Sequence, residues 1–161
     1  MTGHVTASGL VVTPDYREVL LVGHLGLGKW LQPGGHVDAD DAEIWQAAAR
    51  EIWEETGITA LVLHPWHAEH DGQPADIDTH PIPARPEKAE GAHWHHDCLY
   101  VFVGERTPIE RQEEEVSAAV WCAIDDPRVP ERLRRVFETC LAGRSGRHSG
   151  DADPAGGKPG P

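Results

Sequence analysis

Basic residues are scarce, cysteines are few, and no long apolar run occurs anywhere in this 161-residue chain. Fourteen Lys and Arg stand against 27 Asp and Glu, a formal net charge of −13. Nucleic-acid backbones bind basic surfaces, so that balance argues against a nucleic-acid partner. No segment approaches the roughly 20 apolar residues that a membrane span requires. The first six residues lack the basic start and apolar stretch of a secretory leader, so the expected compartment is the cytoplasm. Cys98, Cys122 and Cys140 are widely spaced. They make neither a disulfide framework nor a CxxC metal pair, and they read as small apolar residues. An acidic protein that handles an anionic substrate needs a cation between the two. A metal ion is the obvious one.

What is present suits one compact domain, with 39% hydrophobic residues. Residues 6–12 and 18–22 are β-rich runs on either side of a Pro-Asp turn. The fragment Gly26-x-Gly28-Lys29 lacks the rest of a phosphate-binding loop and reads as a turn. The clearest helix covers residues 40–56. Asp40 or Asp41 is placed to cap it, alanines fill its interior, and Gly57 stands where a left-handed C-cap belongs. Ile44, Ala48 and Ile52 form its packed side. Residues 58–63, 93–103 and 116–124 read as strands, and 129–141 as a second helix with a stripe of Leu133, Val136, Phe137 and Leu141. Residues 72–91 have no apolar period and read as a long loop, either a functional excursion or a mobile one. Gly and Pro dominate from 143 onward, so the domain is expected to span 1–142 and a disordered tail 143–161.

The chemistry is concentrated at the end of the first helix. Glu51, Glu54 and Glu55 stand at i, i+3 and i+4 and share one helix face. Like charges at that spacing repel, and they sit where the helix dipole already disfavours negative charge. Such conflicts mark functional sites, where an outside partner compensates. A hard divalent cation resolves this one. Mg²⁺ takes oxygen ligands, bridges carboxylates to phosphates and lowers the pKa of an attacking water. Arg50, beside the cluster, can hold a carboxylate or touch a phosphate. Gly34 and Gly35 permit a close backbone approach before the helix.

This pattern closely resembles the signature of the Nudix hydrolase family: Gly, five residues, Glu, seven residues, then Arg-Glu-aliphatic-x-Glu-Glu-x-Gly-aliphatic. Gly35, Arg50, Glu51, Ile52, Glu54, Glu55, Gly57 and Ile58 match it. The first acid is Asp41 rather than Glu, and eight residues separate it from Arg50. The resemblance covers roughly residues 4–142. It implies an α/β fold of the Nudix type, an α/β/α sandwich with a mixed β-sheet. It also implies hydrolysis of a phosphoanhydride bond in a nucleoside diphosphate linked to another group, with Mg²⁺ or Mn²⁺ as cofactor. Glu51, Glu54 and Glu55 would then be metal ligands, and Glu51, Glu54 and Arg50 the catalytic set. Glu51 or a loop glutamate would be the general base. A loop acid before a late strand commonly completes such sites, and Glu114 and Glu115 stand in that place beside Glu113. The resemblance also makes a homodimer the default assembly.

Eleven histidines form a high load for this length. His93, His95 and Asp97 alternate on one strand face, with His96 on the other. Such a set can ligate a transition metal, hydrogen-bond a phosphate, or line a polar sheet face. Substrate contact by His93, His95 and Gly35 is the functional reading. Asp78 and His80, in the long loop, can meet these histidines. Trp30, Trp53, Trp66 and Trp94 are candidates to stack on a nucleobase, with core packing their commoner fate. Two other functions remain open. One is a non-catalytic nucleotide sensor on the same fold, which an intact Arg-Glu…Glu-Glu core disfavours. The other is isomerisation of an isoprenoid diphosphate, which would need Cys98 to face the metal site.

Overall fold

The structure is a computed structural model describing residues 2–86, 89–110 and 116–141. The expected tail from 143 onward lies outside the described residues. Eight strands make one mixed sheet there: β1 (Gly3–Val12), β2 (Glu18–His24), β3 (Lys29–Leu31), β4 (Gly34–His36), β5 (Leu61–Leu63), β6 (Asp76–Ile82), β7 (His93–Gly104) and β8 (Val116–Ala123). Three helices accompany it: α1 (Ile44–Thr56), α2 (Pro65–Glu69) and α3 (Glu131–Leu141). The central pair, β1 and β7, is parallel over ten residues, and the other pairings are antiparallel.

Alternation along the central strands sends their side chains into two separate cores. Ala7 and Val11 of β1, Leu20 of β2, and Cys98, Tyr100 and Phe102 of β7 pack with Ala47, Ala48 and Ile52 of α1. Leu10, Val12, Val19, Leu21, Leu99 and Val101 point the other way and meet Leu133, Val136, Cys140 and Leu141 of α3. Helices therefore cover both faces, which is the α/β/α sandwich expected from the resemblance. At Gly9 the first helix comes especially close: a Cβ there would lie 2.5 Å from Cδ1 of Ile52.

The structure corrects four sequence expectations. Helix α1 begins at Ile44, capped by Glu43, whose amide donates to the Gln46 side chain at 3.1 Å. Asp40 and Asp41 stay in the preceding turn because the Asp41 carboxylate is bound elsewhere, as described below. Gly57 does end the helix at φ 75°, its N–H donating to Trp53 O at 2.7 Å. Strand β5 is only Leu61–Leu63, since Ile58 is drawn into the core under α1. Residues 76–82 are a strand rather than loop. Its polar residues alternate along the edge of β7, and an edge strand tolerates Pro81. Finally, α3 begins at Glu131, after Pro130.

The short helix α2 is pinned to β7 by one buried imidazole. His67 is 0% exposed, accepts the Val101 amide at Nε2 (2.9 Å) and donates from Nδ1 to Gln73 O (2.7 Å). Burial lowers its pKa below the ordinary 6.5. The folded state thus favours the neutral ring, whereas the unfolded chain takes up a proton as pH falls past about 6.5. Urea unfolding should therefore show stability level above neutral pH and falling below about 6.5. His67→Ala should cost about 1–3 kcal/mol at pH 7.5 and make the acid-side fall shallower.

Candidate active site

Strand β4 and the last turns of α1 meet where two glycines replace side chains. The Gly34 amide donates to Glu55 Oε2 at 3.2 Å, and Glu55 is 8% exposed. A Cβ on Gly35 would stand 2.5 Å from the carboxyl carbon of Glu51. Only glycine allows the Glu51 carboxylate to settle over the strand. The two successive residues of β4 thus each receive one helix carboxylate. Glu54 is tied to Glu51 through Arg50, whose Nη1 donates to Glu51 Oε1 at 3.0 Å and to Glu54 Oε2 at 3.1 Å.

Arg50 uses its whole donor fork inside the chain. Its Nε and Nη2 grip Asp41 at 3.3 and 2.9 Å, and Nη2 also donates to the His36 carbonyl at 2.8 Å. With Nη1 shared by two glutamates, five N–H donors meet five acceptors. Arg50 is therefore fully engaged within the chain, and the repulsion among the glutamates is met in part by it. The hydrogen bond from Arg50 holds the Asp41 carboxyl below the usual carboxylate range. The side chain of Asp41 is only 9% exposed, so the shorter acid and the extra residue of the signature are absorbed by the loop without loss of the Arg50 contact.

The donor set of Glu51, Glu54 and Glu55 is all carboxylate oxygen, which fits a hard divalent cation. Glu114 and Glu115, the candidate loop acids, lie outside the described residues, as does Glu113.

Beyond Leu10 and Leu99, the face that α3 covers continues as an uncovered polar strip. Strand register lines up His4 with His95 and His80, and Thr6 with Asp97 and Asp78. A cleft of about 520 Å³ runs along this strip to Glu55, lined by Ser8, Gly35, Asp78, His95 and Arg132 among others. The grouping of Asp97 with His93 and His95 does not survive as a ligand set. Asp97 instead accepts from Ser8 Oγ (2.7 Å) and from Nη1 of Arg132 (2.6 Å), which also binds Asp76 through Nε at 2.6 Å. His93 and His95 do stay together, their Nε2 atoms 3.1 Å apart. Two histidines missed from sequence join them. His4 and His36 come from β1 and β4, with ring centroids 4.9 Å apart, and each stands 4.6–5.4 Å from the His95 ring. The only sequence signal was the even spacing that puts His4 in phase with Thr6 and Ser8.

The tryptophans divide. Trp53 and Trp94 are the more exposed pair, Trp66 stacks on His70, and Arg128 lies over Trp30. Cys98 is buried against α1, and burial pushes its thiol pKa up.

The sandwich and its acidic helix end define a Nudix-type domain. The chain matches the NUDIX domain family over residues 3–140 and belongs to it. Over 70 residues it is 48% identical to the phosphatase NudJ of Escherichia coli K12, covering 40% of this chain and 45% of that protein. The chain thus spans under half the length of that curated relative. A NUDIX-family hydrolase from Clostridium perfringens shares the fold at a TM-score of 0.63 and 22% identity, covering 88% of this chain and 98% of that one. An Ap4A hydrolase from C. elegans, solved as a binary complex, does so at 0.58 and 24%, covering 87% and 98%. No helix among the described residues is long and apolar enough to cross a membrane.

Gly35→Ala tests the close approach directly. The added Cβ must displace the Glu51 carboxylate, whose flexible end can yield, so the melting temperature should shift by only a few degrees. Binding of Mn²⁺, followed by electron paramagnetic resonance, should weaken markedly. Unchanged Mn²⁺ affinity would separate Glu51 from any cation site.

Proposed function

We propose that this chain hydrolyses a phosphoanhydride bond in a nucleoside diphosphate linked to another group. The observation that carries the proposal is the docking of Glu55 and Glu51 on Gly34 and Gly35, with Glu54 drawn in by Arg50. Glu51, Glu54 and Glu55 would hold Mg²⁺ or Mn²⁺, which supplies charge neutralisation at the phosphoryl oxygens and a more acidic bound water. The chain's own part is positional. Arg50 fixes Glu51 and Glu54, the Gly34 amide fixes Glu55, and Asp41 fixes Arg50. Glu51 is the favoured proton acceptor from the attacking water, with a loop acid such as Glu114 or Glu115 the other candidate. Water oxygen bonds to phosphorus, the bridging P–O bond breaks, and the leaving phosphate carries away the bond's electron pair.

Family membership and the similarity to a phosphatase and an Ap4A hydrolase support a nucleotide-type substrate. The cleft that reaches Glu55 would give such a substrate a polar wall, with Gly35 and His95 in it. Isoprenoid isomerisation is disfavoured, because the thiol of Cys98 packs among Ala47, Ala48 and Ile52.

Phosphate or nucleotide release should be measured across nucleoside triphosphates, nucleotide sugars, ADP-ribose and dinucleoside polyphosphates, with Mg²⁺ and with EDTA. Turnover of one class that EDTA abolishes is the expected result. Glu54→Gln and Glu55→Gln should each lower kcat on the order of 100-fold or more. The Glu54 variant should keep its stability, since its i,i+4 pair with Arg50 is partly exposed and worth about 0.3–0.5 kcal/mol. Full activity in both variants would refute the carboxylate site.

A further inference from the structure

The histidines are unevenly placed. Five of them, His4, His36, His80, His93 and His95, converge at the open end of the polar strip. Ring centroids of His95 lie 4.6 Å from His4, 5.0 Å from His93, 5.4 Å from His36 and 5.7 Å from His80. Strand register produces the cluster: His4 on β1 and His80 on β6 flank His95 on β7, and His93 follows two residues earlier on the same face.

Three of these rings bring one nitrogen each into one group, and those atoms of His4, His93 and His95 all lie within 4.8 Å of one another. The Nε2 atoms of His93 and His95 are 3.1 Å apart. Two imidazoles on one ion at the usual ~2.0–2.1 Å would stand about 2.9–3.4 Å apart, between octahedral and tetrahedral angles. His93 is already set in the matching tautomer. Its Nδ1–H donates to the Gly91 carbonyl at 2.8 Å, which leaves the Nε2 lone pair directed at the group. A neutral imidazole nitrogen is the form that metals bind.

The geometry points to a three-histidine site for a transition-metal ion, formed by His4, His93 and His95, with Zn²⁺ the ion that suits it. An all-imidazole donor set selects Zn²⁺ and its neighbours over Mg²⁺, whereas the glutamates of α1 have the opposite preference. The chain therefore carries two cation sites of different chemistry. The second is open: a cavity of about 520 Å³ adjoins it, lined by Thr2, Arg85 and Glu90 as well as the histidines. Three protein ligands leave a coordination position for water or an anionic oxygen. His95 and His36 also line the cleft that reaches Glu55, so the ion stands at the far end of the same groove.

The test is Zn²⁺ titration of the full chain against a chromophoric chelator at pH 7.5, with millimolar Mg²⁺ present to fill the carboxylate site. One Zn²⁺ per chain is expected, with a zinc-edge absorption spectrum showing imidazole nitrogens at about 2.0–2.1 Å. His93→Asn and His95→Asn should each weaken binding about 100-fold or more, and Glu54→Gln should leave it intact. His4 is exposed at the start of β1, so His4→Asn should fold normally, as judged by its metal-free melting temperature, and should show the same loss. The site is refuted if the wild-type chain takes up no stoichiometric Zn²⁺ and His93 and His95 are merely hydrogen-bonded to each other. It is equally refuted if the three histidine variants bind as the wild type does, or if Glu54→Gln alone abolishes uptake.

Discussion

The site depends on one guanidinium whose donors are all committed. Arg50 joins the loop acid Asp41, the helix acids Glu51 and Glu54, and the carbonyl of His36 on β4. Two carboxylates, Glu51 and Glu54, are thereby held near one another toward the unfavourable end of a helix dipole. The same bonds tie α1 to β4, which pairs with β1 at the centre of the sheet. The glycines complete the arrangement from the other side. A Cβ on Gly34 would fall 2.5 Å from Ser8 Cβ, and one on Gly35 would enter the Glu51 carboxylate. Charge neutralisation and bare backbone act together: without the first the acids repel, and without the second the helix end stands too far from the strand.

A second constraint divides the face opposite α1. Where α3 covers the sheet, the inward residues are Leu10, Val12, Leu99 and Val101. One step beyond, Arg132 of α3 is held by Asp76 and Asp97, and the inward positions become Thr6, Asp78, His80 and His95. The pair of carboxylates on Arg132 closes the apolar core against the wet cleft. Arg132 gives each of the two carboxylates a cationic partner, as charges taken out of water require. The strand pattern carries straight through this boundary, so core and cleft are built from the same alternation.

Much of this was legible in the chain. The signature helix, its C-cap at Gly57, the central strands and the identity of the acidic cluster follow from period and local chemistry. The misreadings have specific causes. Asp41 reads as a helix cap because Asp is a good cap, and only the distant Arg50 shows that its carboxylate is already engaged. Strand β6 reads as loop because both its faces are polar or exposed: Ile77 is 60% exposed, and no apolar side announces a sheet edge. Asp97 reads as a partner of His93 and His95 by alternation, yet Arg132, 35 residues on, takes it. The histidine cluster draws on four strands, and no spacing rule within one segment can assemble it.

The charge balance links the two halves of the structure. For the proposed reaction, a chain of net charge −13 would have to bring an anionic substrate into a cleft that already contains Glu55, Asp78 and Asp97. Its two best-anchored arginines give no help there, since Arg50 and Arg132 spend their donors on the chain's own acids and carbonyls. Lys29 and Arg85 are the other cationic side chains of the cleft wall, too few to offset the carboxylates and phosphates together. The remaining positive charge has to come from solution. Carboxylates at one end of the groove suit a hard ion, and imidazoles at the other suit a softer one. Under the proposed reading, such an acidic surface would repel an anionic substrate in the absence of metal and admit it when cations are bound, so turnover would depend on the ions rather than on the protein's own field.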